Sequence, residues 1–168
     1  MTGRKPNRII NNLIVLAVVV FTIIGCGQHP IYSHFEHIQP TGWQRNDTLR
    51  FSIHAKDAGN YCLSLDLRAT SLFPFTELVL VVERYAHLKH ERRTDTLYIN
   101  ITDKDGNREG AGISMFSYGT PLTPVMLEDH DTLDISVRHA MTRQCLQGIT
   151  DVGITAEANC AQRQYAGK

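Results

Sequence analysis

The sequence predicts an all-β protein, an antiparallel β-sandwich of jelly-roll type, on three observations. From Thr41 onward, apolar residues recur at every second position in short segments separated by turn residues, which is the period of half-buried strands. One segment, Leu78 to Val82, is continuously apolar, as expected of a central strand covered on both sides. No stretch of helical length carries a sustained apolar stripe, although His87 to Arg93 and Ala140 to Leu146 could each hold a turn or two. Two sheets that bury their alternating faces against each other satisfy this pattern.

Residues 1–25 have the three parts of an export signal. Arg4, Lys5 and Arg8 supply a basic start, Leu13 to Ile24 an uninterrupted apolar run, and Gly25 a small residue for the peptidase subsite. Asn11 and Asn12 interrupt the apolar character, which leaves the run short of the roughly 20 residues of a permanent span. The tetrad Ile23-Ile24-Gly25-Cys26 resembles the lipobox of bacterial lipoproteins. Cleavage between Gly25 and Cys26, with acyl chains on the Cys26 thiol, is therefore expected, and this covalent lipid is the only cofactor-like group foreseen. Each buried methylene contributes about 0.8 kcal/mol, so two or three acyl chains hold a soluble domain at a membrane stably.

Residues 26–40 lack hydrophobic periodicity and contain Pro30 and Pro40, which suggests a lipidated tether before a sandwich spanning 41–158. Leu49, Phe51 and Ile53 share one face of the first strand, and Tyr61, Leu63, Leu65 and Leu67 share one face of the second. Leu97, Ile99 and Ile101 alternate next, then Leu133, Ile135 and Val137, and finally Val152, Ile154 and Ala156. Residues 159–168 are polar and read as a flexible tail. Asp-Thr-Leu occurs three times, at Asp47, Asp95 and Asp131. An aspartate closing a turn, a β-branched threonine entering extended backbone and an inward leucine suit a strand start, so each copy is expected to open one.

Composition narrows the function. The chain has 17 basic and 17 acidic residues, and three of the basic ones precede Cys26, leaving the mature protein at −3 with histidines neutral. Such a surface has no concentrated basic footprint for nucleic acid. Cys62, Cys145 and Cys160 are odd in number, so they form at most one internal disulfide, with the pairing open. His34 with His37 and His87 with His90 are spaced by three, yet neither pair has the further ligands of a zinc site, and they read as solvated loop histidines. Asp103 to Asn107 superficially matches a calcium loop, but Ser114 stands where a bidentate glutamate belongs, so a hairpin turn at Asp105-Gly106 is expected instead. Gly112 to Phe116 lacks the closing glycine of an esterase elbow, and there is no glycine-rich phosphate cradle. No metal site, catalytic residue or small-molecule substrate is expected.

In order along the chain stand Tyr32, Gly42-Trp43, Asp47 to Phe51, Leu65 to Arg68 with Thr70, and Phe73-Pro74-Phe75 before Leu78. Asp103, Asp105-Gly106, Gly110 and Gly112 follow, then Ala140-Met141, Leu146, Gly148-Ile149 and Asp151 to Ile154. This succession, over about 120 residues, resembles the gliding-motility lipoprotein family GldH. The resemblance implies a non-enzymatic part in the envelope machinery of gliding and type IX protein secretion, with other envelope proteins as partners. It also implies a lipid anchor outside the cytoplasm; the absence of an acidic cluster after Cys26 favours the periplasmic face of the outer membrane. Arg84 to Arg93, rich in His, Arg and Lys, departs from the turn composition expected of the family. Asp-Thr followed by an aliphatic residue resembles a periplasmic O-glycosylation acceptor, which makes Thr48, Thr96 and Thr132 candidate sites. The alternative function is a glycan-binding sandwich in which Trp43, Tyr85 and Tyr118 offer exposed rings. A hydrolase would need two carboxylates facing each other across a cleft.

Overall fold

A computed structural model describes residues 30–158. The signal peptide, the Gly25-Cys26 cleavage and lipidation site, Cys160 and the tail at 159–168 lie outside the described residues. Eleven strands follow in chain order: β1 (Tyr32–His37), β2 (Trp43–Gln44), β3 (Leu49–His54), β4 (Gly59–Thr70), β5 (Glu77–Ala86), β6 (Glu91–Asn100), β7 (Ala111–Gly112), β8 (Met115–Leu127), β9 (Thr132–His139), β10 (Cys145–Leu146) and β11 (Ile149–Ala158). The described residues contain no helix; His87 to His90 is a tight turn between β5 and β6.

One sheet has the order β1-β11-β4-β8-β7 and the other β3-β9-β5-β6, while β2 and β10 form a separate two-stranded ribbon. All pairings are antiparallel. Consecutive long strands alternate between sheets except where β5 and β6 form a hairpin, so the chain winds around the core as a jelly roll. Leu63, Leu65 and Leu67 of β4 and Val152, Ile154 and Ala156 of β11 meet Phe51, Ile53, Leu80, Val82, Ile135 and Val137 of the other sheet in one core. Each such fully buried aliphatic side chain contributes about 1.5–3 kcal/mol. β5 is central, as its apolar run predicts. Its inward residues Leu78, Leu80 and Val82 are buried, whereas Val79 and Val81 on the other face are only half covered.

Three segments depart from the sequence-based expectation. Tyr32–His37, expected to be tether, is a strand paired along its whole length with β11, from Tyr32 opposite Ala156 to His37 opposite Asp151. It is an edge strand that joins the sheet through its backbone, so it needs no apolar alternation. Tyr32 packs against the core from one face of the strand, and Phe35 is the anchor on the other. Its ring lies over Gly153, where a Cβ would come within 2.6 Å, and the Arg68 guanidinium stacks on that ring at 4.5 Å. The longest strand, β8, carries no clear alternation because Gly119, Pro121 and Pro124 interrupt it. Pairing with β7 occupies only Phe116 and Ser117, so most of its second edge is open and the missing proline N–H groups cost little there. Thr123 and Pro124 form a bulge opposite Cys62.

The third departure concerns the Asp-Thr-Leu copies. Thr48-Leu49 and Thr132-Leu133 do open β3 and β9, and Asp131, fully buried, closes its turn by accepting from the Leu88 and Thr132 amides. Asp95 instead lies in the middle of β6, opposite Val82. Its carboxylate faces inward to the buried guanidinium of Arg84, which also donates to the Thr123 carbonyl in the β8 bulge. The β5–β6 turn is so short that β6 begins at Glu91, before the motif.

Candidate functional site

The inward alternation of the four-stranded sheet leaves the opposite set of side chains on its outer face, and these are polar. Register places Ser52, Asp134, Tyr85 and Arg92 in one row across β3, β9, β5 and β6. The next row is Arg50, Ser136, Glu83 and Thr94. The small serines leave a depression of about 460 Å³ bounded by the longer neighbours. Arg50 also lines a second depression of about 440 Å³, built by the segment from His37 to Leu49. The two hollows thus share one guanidinium as their common wall.

The floor is held by a local network. Asp134 accepts from the Ser52 hydroxyl at 2.8 Å and lies 2.7 Å from His87 Nε2. The His87 contact is the largest influence holding the Asp134 carboxyl below the ordinary carboxylate range, with Ser52 and His54 acting in the same direction. His54 in turn meets the Thr132 hydroxyl at 3.1 Å. The Tyr85 ring makes an edge contact with His87 and carries the Arg92 guanidinium 5.6 Å from its centre, and its hydroxyl lies 3.0 Å from His90 Nδ1. Arg92 and Glu83 approach only to 4.0 Å. The side chains of Arg50 and Ser136 make no hydrogen bond or ion pair among the described residues.

Several residues singled out by sequence fall elsewhere. Trp43 and Tyr118 are buried and offer no exposed ring: the indole donates to the Asp47 carbonyl, and the Tyr118 hydroxyl to that of Ile101. Of the proposed aromatic trio, only Tyr85 reaches the surface. Among the candidate acceptors, Thr96 is exposed, whereas Thr48 and Thr132 are half-buried. His34 and His37 are on a strand, not in a loop, and contact Glu36 and Asp151. No three metal-binding side chains converge among the described residues. Asp103 closes a turn by accepting from the Asp105 and Asn107 amides, and its bond with the Asn107 side chain is the leading cause that lowers its pKa. Cys62 is disulfide-bonded to a partner outside the described residues, and Cys145 is free. Glu83 and Asp134 project side by side from adjacent strands, so they do not oppose each other across a cleft as a glycosidase pair does.

Arg50, Ser52, Asp134, Ser136, Glu83 and Arg92 do not stand out as a site in the sequence. Their signal was present as the polar half of each alternating segment, but four strands far apart in sequence must be aligned in register before it becomes a site.

Comparison with solved structures finds topologically similar chains at low similarity. Eiger TNF from S. frugiperda matches at 12% identity over 80% of this chain and 98% of its own, with a TM-score of 0.38. Murine APRIL matches at 13% over 74% and 98%, with a TM-score of 0.34. A family GH115 4-O-methyl-alpha-glucuronidase matches at 11% over 79% of this chain, which spans 18% of that enzyme, with a TM-score of 0.42. No curated protein matches. The family model described as GldH lipoprotein matches residues 30–156, from the edge strand β1 to the last strand of the sandwich, and the chain belongs to the GldH lipoprotein family.

Proposed function

We propose that this chain is a non-catalytic interaction module of the gliding-motility and type IX secretion machinery, anchored through acyl chains on Cys26 to the periplasmic face of the outer membrane. The observation that carries this reading is the family match across the whole sandwich, directly behind a lipobox. The fold is consistent with it: the core is closed and aliphatic, and Leu72 and Ile113 stand exposed at one end of the sandwich, where apolar side chains suit a protein contact. Affinity purification from solubilised native membranes should recover motility or secretion components with the protein. Repeated recovery of the lipoprotein alone would count against the reading.

Replacing Cys26 by Ala should release a folded domain from the membrane, measured by fractionation and acyl labelling; acyl label persisting in the variant would refute the anchor. Thr48, Thr96 and Thr132 remain proposed O-glycosylation sites, with Thr96 the most accessible in the folded protein. The intact mass of the mature native protein reads both modifications, and a mass without hexose ends the glycosylation proposal.

A further inference from the structure

We propose that the outer face of the four-stranded sheet binds a carboxylate-bearing oligosaccharide between Arg50 and Arg92. These two residues stand on the first and last strands of the sheet, three strand spacings apart, or about 14 Å between backbones. Between them lies a floor of hydroxyls and carboxylates from Ser136, Asp134 and Glu83. The Arg50 side chain has no ion pair or hydrogen bond among the described residues, and the Arg92 guanidinium has the Tyr85 ring at 5.6 Å and a 4.0 Å approach to Glu83. A guanidinium presents a planar fork that matches a carboxylate in two parallel hydrogen bonds, so two weakly engaged forks across one depression call for an anionic ligand.

Charge alone does not distinguish a sugar from an acidic peptide; the floor does. A protein partner wants an apolar centre that a buried aromatic or aliphatic anchor can fill. This depression offers no such pocket: Phe51 and Ile135 are buried beneath it, and the Tyr85 ring, already flanked by His87 and Arg92, is left as a small apolar surface beside Ser136, Glu83 and Asp134. Those carboxylates accept hydrogen bonds but cannot donate them when ionised, which suits a ligand rich in hydroxyl donors and disfavours a polyanionic peptide. Asp134 is fixed in place with one oxygen on the Ser52 hydroxyl and the other on His87, so the remaining lone pairs of its carboxylate are presented without further ordering. The adjoining hollow beyond Arg50 continues the surface, which favours a chain of several sugar units over a single one.

The depression between the two arginines is not lined by Trp43 or Tyr118, and it does not depend on the protein complex proposed above. Its test can therefore fail while co-purification succeeds, and the reverse. Full-length lipoprotein in detergent micelles would be titrated by calorimetry with trigalacturonate and with a glucuronate-containing hyaluronan tetrasaccharide. Methyl-esterified trigalacturonate and a hexaglutamate peptide provide the comparison arms. Binding of at least one acidic oligosaccharide is expected, weakened tenfold or more by Arg50→Ala and by Arg92→Ala and unchanged by Lys104→Ala, which removes the same charge from a remote turn. Both arginines are exposed, so the variants should fold. Equal binding of the ester, stronger binding of the peptide, indifference to both arginine variants, or no binding of either acidic saccharide would each overturn the proposal.

Discussion

His139 is a base in a place that disfavours its charged form. It points inward from the end of β9 with no exposed surface, its ring set edgewise against Trp43 at 5.3 Å, and neither nitrogen has a hydrogen-bond partner. Burial lowers its pKa from the ordinary value near 6.5; a contact with the Trp43 backbone partly opposes this. In the unfolded chain the same imidazole takes up its proton as pH falls through 6.5, so the unfolded state binds more protons and stability declines from there through the lower folded-state value. Urea denaturation at pH 7.5 and at 5.5 should show this loss, and His139→Leu should show less of it; parallel curves for the two proteins would contradict the account. Gly148 is constrained by its backbone. It has φ +88°, and an added Cβ would lie 2.2 Å from the Phe73 nitrogen. Gly148→Ala should cost about 1–3 kcal/mol in the same denaturation experiment, because strain at positive φ is joined by a clash with main chain that cannot move aside.

At the scale of strands, the buried Arg84 guanidinium and the partly exposed Asp95 carboxylate tie β5 to β6, and Arg84 reaches the bulge of β8 in the opposite sheet. Arg84→Met leaves the Asp95 carboxylate without its partner but still in touch with water, so it should destabilise by less than the roughly 3–5 kcal/mol of a fully buried pair. Combining it with Asp95→Leu should restore much of the loss, since an apolar pair of similar volume avoids the desolvation cost. A double variant no more stable than the single one would show that the hydrogen bond to Thr123, not the charge pair, carries the contribution. Strands were legible in the sequence in proportion to how one-sidedly they are buried. β3, β4, β9 and β11 alternate because one face packs on the core and the other meets water. β8 was illegible because prolines can occupy its open edge, and β1 because an edge strand can hold by backbone bonds with Tyr32 and Phe35 as its large side-chain anchors, three positions apart and out of step with a period of two. Asp95 misled for a related reason: its motif fits a strand start equally well, and only the buried Arg84 across the hairpin explains an inward carboxylate in mid-strand.

For the whole molecule, the class of fold followed from periodicity, and the family from an ordered set of glycines, aromatics and aspartates whose roles are largely structural. Gly153 lies under Phe35, Gly110 under the Tyr118 ring, and Trp43 clips the chain at the entrance to the sandwich. The outer-face site was hidden because a jelly roll assembles each face from strands distant in sequence.

The pairing of β1 with β11 also sets how the domain stands above the lipids. If the acyl chains sit on Cys26, only five residues separate that anchor from the first residue of β1, a leash of at most about 20 Å instead of the longer one that residues 26–40 would have allowed. The end of the sandwich where β1 begins, which also carries the β3–β4 and β8–β9 connections and the turn from His87 to His90, is then held down against the bilayer. The opposite end points outward, bearing the exposed side chains of Leu72 and Ile113. So short a leash leaves the protein free to spin about its anchor but not to invert. Anything approaching from the side away from the bilayer would therefore meet that outward end first.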